Sequence, residues 1–401
     1  MTVKHKSRSH LRNGKSKTST ADLEIHVKKR YAEGAKTRQA ELCCPVSYDT
    51  QHLKMLPQEI IEKDYGCGDP SRYVREGDLV LDLGSGAGKI CYIASQIVGK
   101  KGRVIGVDFN PAMLTLARKY QREMAQKLGY ANVQFKRGKI QDLKTDLDLI
   151  DRYLSDHPVK SAENYMNFEA VKKRLAEEKP LIADESVTVI ISNCVLNLVM
   201  PSDKQALFSE MHRVLKKGGR VAISDIVSDE IVPESLKEDP ALWSGCISGA
   251  FQEREFLQAF EKAGFYGIQI EKRDEKPWRT VQGIEFRSVT VTAYKGKEGR
   301  CWERHQAVVY RGPWKQVTDD DGHVLKRGLR TAVCDKTFQI YAKAPYAKDM
   351  ILIEPHKTIP LSKAKAFDCQ NGAERDPRTT KGLRYRETSS AVSTCLEGGC
   401  C

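Results

Sequence analysis

The chain has 401 residues, of which 40% are hydrophobic and 30% are charged. This composition is ordinary for a globular protein, and the length is enough for one large domain and one smaller domain. No apolar run approaches the roughly 18 residues that a membrane-spanning helix needs. The first residues lack the apolar stretch of a secretory signal. We therefore expect a cytoplasmic protein with no membrane partner.

The net charge of +13 raises the question of nucleic-acid binding. Much of the positive excess lies in residues 1–24, which we expect to form a disordered basic tail. The sequence shows neither zinc-finger spacing nor the glycine and aromatic pattern of an RNA-recognition motif. A nucleic-acid partner is therefore not expected, and a DNA-binding regulator is the weakest of the candidate functions.

The 12 cysteines are the unusual feature of the composition. Cytoplasmic thiols stay reduced, so this number favours metal, redox or catalytic roles over disulfides. No C-x-x-C pair and no H-x-x-x-H pair is present, which disfavours a four-ligand structural zinc site.

Strand and helix patterns alternate along the first three quarters of the chain. After a helical region at 25–75, short apolar runs predict strands, and helical patterns separate most of them. The predicted strands are 79–83, 103–107, 133–136, 187–192, 220–224, 266–272 and 288–294. A charged stretch at 143–183 interrupts the alternation and predicts a helical insertion.

This alternation predicts an α/β fold of the Rossmann-like type, with a mostly parallel seven-stranded sheet covered on both faces. The last two strands follow each other without a helix, which indicates an antiparallel edge strand at 288–294. We expect this domain to span residues 25–295.

The pattern of alternating strands and helices ends at about residue 295. The turn at 319–323 separates two apolar runs, so we predict a small β-rich α+β module over 296–367 and a flexible tail over 368–401. The tail carries Cys395, Cys400 and Cys401. Three further cysteines at positions 301, 334 and 369 are expected to be structural.

A glycine turn follows the first predicted strand, in Leu81-Asp82-Leu83-Gly84-Ser85-Gly86-Ala87-Gly88. Its spacing differs from the dinucleotide pattern GxGxxG and is closer to that of S-adenosylmethionine enzymes. Asp108 ends the second strand, where a carboxylate can accept hydrogen bonds from both ribose hydroxyls. We predict that Asp82, Gly84, Gly86, Gly88 and Asp108 bind S-adenosylmethionine. A nicotinamide cofactor and a purely structural turn are the alternatives.

The segment after the third strand carries two more candidates. Ile140 is an apolar residue that can cover an adenine ring, and Gln141 is a polar residue that can bind its amino group. We assign both to the cofactor site.

Three cysteine motifs carry a family resemblance. They are Tyr65-Gly66-Cys67-Gly68, Ser192-Asn193-Cys194-Val195-Leu196-Asn197-Leu198 and Trp243-Ser244-Gly245-Cys246. With the glycine turn they make residues 65–295 resemble the S-adenosylmethionine-dependent arsenite methyltransferases.

The resemblance implies that Cys194 and Cys246 bind trivalent arsenic as thiolates, with Asn193 at the cofactor. It also implies that Cys67, together with Cys44 or its neighbour Cys43, binds and then reduces the product through disulfide formation. Arsenite or methylarsenite would be the substrate, and a thiol reductant such as glutathione or thioredoxin would complete the cycle.

Elementary chemistry favours the same assignment. Soft thiolates select soft acceptors. Arsenic bound by sulfur keeps a lone pair that can attack a methyl group, so alignment and exclusion of water replace a general base. Two alternatives stay open: a methyltransferase for another thiophilic or small-molecule acceptor, and a non-catalytic metalloid-binding protein.

Overall fold

A computed structural model of the chain describes residues 20–42, 46–369 and 373–389. The chain divides into an N-terminal unit that ends at Gly296 and a C-terminal unit that begins at Lys297. This division lies one residue from the predicted boundary. Five cysteines lie outside the described residues, namely Cys43, Cys44, Cys395, Cys400 and Cys401.

The N-terminal unit alternates helices and strands. Its helices are α1 (Thr20–Gly34), α2 (Thr50–Lys54), α3 (Gln58–Glu62), α4 (Lys89–Val98), α5 (Pro111–Lys119), α6 (Gln121–Leu128), α7 (Leu147–Asp156), α8 (Ala162–Glu178), α9 (Lys204–Val214), α10 (Glu234–Lys237), α11 (Pro240–Ser244) and α12 (Glu253–Lys262). Its strands are β1 (Leu79–Leu83), β2 (Arg103–Asp108), β3 (Val133–Arg137), β4 (Val187–Asn193), β5 (Leu215–Ser228), β6 (Phe251–Gln252), β7 (Tyr266–Arg273), β8 (Arg279–Val281) and β9 (Ile284–Tyr294).

The main path of the sheet has seven strands in the order β3-β2-β1-β4-β5-β9-β7. Strands β1 to β5 are parallel to one another, whereas β9 is antiparallel to both β5 and β7. Two short strands join outside this path, β6 beside β5 and β8 beside β9. The predicted Rossmann-like class is therefore confirmed.

The sequence had indicated that the antiparallel strand lies at the edge of the sheet, but the structure places this strand inside the sheet. Strand β9 lies between β5 and β7, so β7 is the edge strand of that side. The alternating hydroxyl residues of β9 suggested exposure, yet they are buried because they have internal partners. Ser288 donates to the Cys67 carbonyl at 2.6 Å, and Thr290 shares a 2.8 Å hydrogen bond with Ser224.

Helices cover both faces of the sheet. Successive strand residues point to opposite faces, so Val80 and Val189 pack in one cluster with α4 and α5. Their neighbours Leu81 and Ile190 pack in the other cluster with α9 and α12. Across the described parts of the chain, no helix is long and apolar enough to cross a membrane.

Two element predictions need correction. Helix α1 begins at Thr20, so the last five residues of the predicted disordered tail, 20–24, are helical, while residues 1–19 lie outside the described chain. The helical sequence pattern over 111–128 predicts one helix, whereas the structure has two, because Tyr120 leaves the helical conformation and its hydroxyl bonds Glu59. The predicted insertion 143–183 holds α7 and α8, and α8 has no buried residue.

The C-terminal unit is small and β-rich. Its elements are β10 (Trp302–Glu303), β11 (Ala307–Tyr310), β12 (Gln316–Thr318), β13 (Val324–Lys326), β14 (Arg330–Ala332), α13 (Asp335–Tyr341), β15 (Met350–Ile353), β16 (Lys365–Ala366) and α14 (Pro377–Lys381). Strands β14, β11 and β15 form one antiparallel sheet, while β12 pairs with β13 and β10 with β16. Helix α14 lies within the tail predicted to be flexible, where the Asp376 side chain caps its first turn.

Candidate active site

A cleft of about 1050 Å³ opens at the carboxyl ends of the parallel strands. Ligands of open α/β sheets bind at this edge. Seven of the residues predicted for the site line the cleft, and these are Gly84, Gly86, Asp108, Ile140, Gln141, Cys194 and Cys246. The cleft therefore joins five of the predicted cofactor residues and two of the predicted arsenic ligands.

The glycine turn after β1 brings backbone close to the cleft. Gly84 has a φ of +72°, and a Cβ there would lie 2.4 Å from the Val195 side chain. Only glycine fits such a position without strain. The Gly86 amide donates to Asp108 Oδ2 at 2.9 Å, which ties the turn to the end of β2.

Asp108 is held in place by backbone amides. Its Oδ1 accepts from the amide of Asn110 at 2.8 Å, in addition to the Gly86 contact. Burial raises the pKa of Asp108, and the amide hydrogen bonds from Asn110 and Gly86 act in the opposite direction. Because a carboxylate offers about four lone-pair directions, the side chain can still accept from a ligand's hydroxyls.

Three predicted cofactor residues, Asp82, Gly88 and Asn193, are not among the residues that line the cleft. Asp82 lies behind the turn, where the Cys91 thiol donates to it at 3.2 Å. Burial raises the pKa of Asp82 to about 7. Cys91 itself is fully buried in the core. Asp82 and Cys91 thus support the turn from beneath.

Asn193 fixes the loop that carries Cys67. Its Oδ1 accepts from the amides of Cys67 at 2.9 Å and Gly68 at 3.1 Å, and its Nδ2 donates to the Gly68 carbonyl. A Cβ at Gly66 would lie 2.3 Å from the Asn193 amide nitrogen, so this position requires glycine. Asn193 therefore positions a thiol at the end of β4.

The three cysteines predicted to bind arsenic lie close together. The sulfurs of Cys67 and Cys194 and a carboxylate oxygen of Asp225 lie within 4.8 Å of one another. The Cys246 thiol donates to the Cys194 carbonyl at 3.2 Å. All three cysteines are more than nine-tenths buried, with exposed fractions of 2% for Cys67, 9% for Cys194 and 4% for Cys246. We call these three residues the cleft thiols.

Two of the cleft thiols sit on left-handed backbone. Cys194 has a φ of +63° directly after β4, and Cys246 has a φ of +62° shortly after α11. This conformation costs a residue with a Cβ about 1–2 kcal/mol. Strain of this kind concentrates at functional sites, where the surrounding structure maintains it.

Residues 75–264 match the family described as a methyltransferase domain, and residues 297–385 match a domain family of unknown function. The arsenite methyltransferase of Aquipseudomonas alcaligenes is 30% identical over 321 residues, which are 76% of this chain and 82% of the relative. The arsenite methyltransferase of Mus musculus is 30% identical over 371 residues, 88% of each chain. The chain belongs to the arsenite methyltransferase family.

A solved structure agrees with this assignment. The arsenic(III) S-adenosylmethionine methyltransferase of Chlamydomonas reinhardtii superposes with a TM-score of 0.53 at 27% identity, covering 81% of this chain and all of that one. The resemblance seen in the cysteine motifs is thereby confirmed. The chain is an S-adenosylmethionine-dependent methyltransferase.

In this member of the family, sequence reasoning did not assign Asp225 or Tyr31 to the site. Asp225 accepts from the amides of Leu196 and Ile226, each at 2.8 Å, and burial raises its pKa to about 7. The Tyr31 hydroxyl lies 4.0 Å from the Cys246 sulfur. Asp225 could have been suspected from the sequence, because it is a carboxylate within β5. Tyr31 could not, because only the fold brings α1 to the cleft.

Proposed function

We propose that this enzyme transfers the methyl group of S-adenosylmethionine to trivalent arsenic bound by Cys67, Cys194 and Cys246. The observation that carries the proposal is the shared cleft, since Cys194 and Cys246 line the same space as Asp108 and the glycine turn. Arsenite is the proposed substrate, as the names of the relatives suggest, and methylarsenite is proposed as a further substrate.

The cleft residues fit the methyl donor. Asp108 offers an oriented carboxylate for ribose hydroxyls, and Ile140 and Phe109 offer apolar surface for an adenine ring beside the polar Gln141. Gly84 and Gly86 have no side chains, so the backbone of the glycine turn forms this part of the cleft wall. When bound, S-adenosylmethionine supplies an electrophilic methyl group.

The cleft thiols would take arsenite without a change of oxidation state. Three As–O bonds break and three As–S bonds form, and each thiol proton leaves with a hydroxide as water. Asp225, beside Cys67 and Cys194, can accept a thiol proton near neutral pH because burial raises its pKa to about 7. The lone pair that remains on arsenic is the nucleophile, so the chain's task is to orient it and exclude water.

Methylation through the lone pair raises the oxidation state of arsenic by two. The bond between arsenic and the Cys67 sulfur breaks as this sulfur joins a second thiol in a disulfide, which returns those two electrons to arsenic and releases the proton of the second thiol. We assign this step to Cys67 with Cys44 or Cys43, of which the latter two lie outside the described residues. A thiol reductant such as glutathione or thioredoxin then reduces the disulfide. The cycle requires reduced thiols, which favours the cytoplasm.

The decisive experiment measures methyl transfer from labelled S-adenosylmethionine to arsenite in the presence of glutathione. Cys194→Ser should lower the rate at least about 100-fold, because a lost ligand exceeds the 10- to 100-fold cost of a lost supporting contact. Its affinity for S-adenosylmethionine should stay near that of the wild type. Ser209→Ala, an exposed change on α9, serves as the matched control.

Two outcomes would redirect the proposal. Cofactor binding by the wild type without any methylated arsenic would favour another thiophilic or small-molecule acceptor. Tight arsenite binding without cofactor turnover would favour a metalloid-binding protein. Full activity in Cys194→Ser would remove that residue from the site.

A further inference from the structure

Three cysteines of the C-terminal unit form a second thiol group, which we call the distal thiols. The sulfurs of Cys301, Cys334 and Cys369 all lie within 4.8 Å of one another. Cys334 is fully buried, whereas Cys301 and Cys369 are partly exposed. None of the three takes part in a disulfide. The group is therefore reduced, compact and open on one side.

Two of these thiols come from the ends of a short ribbon. Strands β10 and β16 pair with Trp302 opposite Ala366. Cys301 precedes β10, and its carbonyl accepts from the amide of Phe367 at 2.9 Å. Cys369 follows β16 by three residues. The pairing brings together two cysteines that are far apart in sequence.

The third thiol comes from the start of α13. Cys334 is the residue before this helix, and its sulfur accepts from the Thr337 amide at 3.4 Å. The Thr337 hydroxyl lies 3.2 Å from the same sulfur. These contacts hold the buried sulfur in one orientation, so the group has one fixed member and two members nearer to solvent.

A positive charge lies beside the group. The Lys336 ammonium donates to the Gly299 carbonyl at 3.2 Å, next to Cys301. Burial would raise the pKa of Cys301, but hydrogen bonds with the thiols of Cys369 and Cys334, together with Lys336, outweigh it and lower the pKa. Burial and the hydrogen bond with Cys301 raise the pKa of Cys369. Cys301 therefore forms a thiolate more readily than Cys369 does, and the thiolate is the form that binds soft ions.

The number of ligands identifies the kind of ion. Within the described residues the group offers three ligand atoms, whereas a structural zinc site uses four. Trivalent arsenic uses three thiolates and keeps its lone pair in the fourth direction. Bonds of about 2.3 Å at the narrow angles of a pyramidal ion place sulfurs about 3.5 Å apart, so sulfurs within 4.8 Å need only small rotations to share one ion.

We propose that Cys301, Cys334 and Cys369 form a second binding site for trivalent arsenic, outside the catalytic cleft. Arsenite exchanges three As–O bonds for three As–S bonds there, and three water molecules form from its hydroxides and the thiol protons. Neither arsenic nor sulfur changes oxidation state. The chain then holds an arsenic ion in its C-terminal unit that is not the one undergoing methylation.

The choice of arsenic as the ion rests on the proposed function, whereas the grouping of the three thiols does not. The test must therefore measure arsenic binding with the cleft thiols removed. A full-length Cys67→Ser/Cys194→Ser/Cys246→Ser variant is dialysed against arsenite with a phosphine reductant, and arsenic per chain is measured by mass spectrometry. Failure of the proposed function would appear in the methyl-transfer assay, and failure of the distal site would appear here.

The variant should retain about one arsenic per chain, with three sulfur neighbours in its X-ray absorption spectrum. Adding Cys301→Ser or, separately, Cys369→Ser should lower retention at least about tenfold. Both residues are partly exposed, so the fold should tolerate either change. Adding Cys395→Ser/Cys400→Ser/Cys401→Ser instead is the matched control, and it should leave retention unchanged.

Three results would overturn the proposal. The first is no arsenic retained by the variant that lacks the cleft thiols. The second is retention that survives Cys301→Ser and Cys369→Ser, or that disappears in the control. The third is stoichiometric zinc in the reduced protein that arsenite does not displace.

Discussion

The cleft thiols and the distal thiols offer the same three ligand atoms in different surroundings. Among the cleft thiols, Cys67 and Cys194 lie beside the Asp225 carboxylate, and Cys194 and Cys246 line the cofactor cleft. The distal thiols lie at the ends of a two-stranded ribbon and the start of a helix, beside the Lys336 ammonium. Ligand identity sets which ion binds, and the neighbours decide whether the bound ion reacts.

The neighbouring charges differ in sign and in whether they exchange protons. A carboxylate with a pKa of about 7 can remove thiol protons and release them again within one catalytic cycle. A fixed ammonium stabilises a thiolate and favours continued binding. We therefore assign the methylation of arsenic to the N-terminal unit and the retention of bound arsenic to the C-terminal unit.

Asp108→Ala should have the largest effect, because it weakens binding of the methyl donor and leaves both thiol groups intact. A hydrogen bond to a charged group contributes about 1.5–3 kcal/mol, so the dissociation constant for S-adenosylmethionine should rise about tenfold or more. Calorimetric titration measures this constant. Glu163→Ala on the exposed face of α8 is the control for loss of a negative charge. Unchanged cofactor affinity in Asp108→Ala would contradict the assignment.

Asp225→Asn should have the next largest effect. The amide cannot take a thiol proton, so capture of arsenite by the cleft thiols should slow about tenfold at pH 7. The wild-type rate should increase as pH rises through about 7, because the carboxyl group must lose its own proton before it can accept another. That step should be absent from the variant's pH profile. A variant profile that keeps the step would assign it to another group.

Lys336→Met should give the smallest change, and the change should be confined to the distal thiols. Loss of the ammonium should raise the pKa of Cys301 and slow its alkylation by iodoacetamide about threefold at pH 7, as expected for a partly screened charge. Peptide mass spectrometry follows each cysteine separately. The cleft thiols provide the internal control, and equal slowing at both groups would point to a general effect on the fold.

The sequence was sufficient for much of the sheet and for part of the cleft. Strands β1, β2 and β4 are mostly apolar, so local pattern predicts them, and Asp108 and Ile140 lie at or after the ends of strands whose carboxyl ends share one edge. Spacing could not reveal that Asp82 faces Cys91, because this depends on which side of the glycine turn is buried. The antiparallel strand β9 was misplaced at the edge because internal hydrogen bonds allow its hydroxyl residues to be buried.

Long-range contacts were beyond sequence reasoning. Asp225 meets Cys67 and Cys194 only because β5 pairs with β4 and because Asn193 holds the Cys67 loop. The distal thiols come from three segments separated by more than 30 residues, with no short metal-binding motif, and they were expected to be structural. Pairing of β10 with β16 is what brings two of them together.

The left-handed backbone at Cys194 and Cys246 has a consequence for protein engineering. Glycine and asparagine adopt this conformation more readily than cysteine does, so either substitution would relieve about 1–2 kcal/mol of strain at each position. A screen that selects heat resistance alone would therefore enrich replacements at these two residues. The same replacements remove the arsenic ligands, so thermal selection of this enzyme would favour inactive chains.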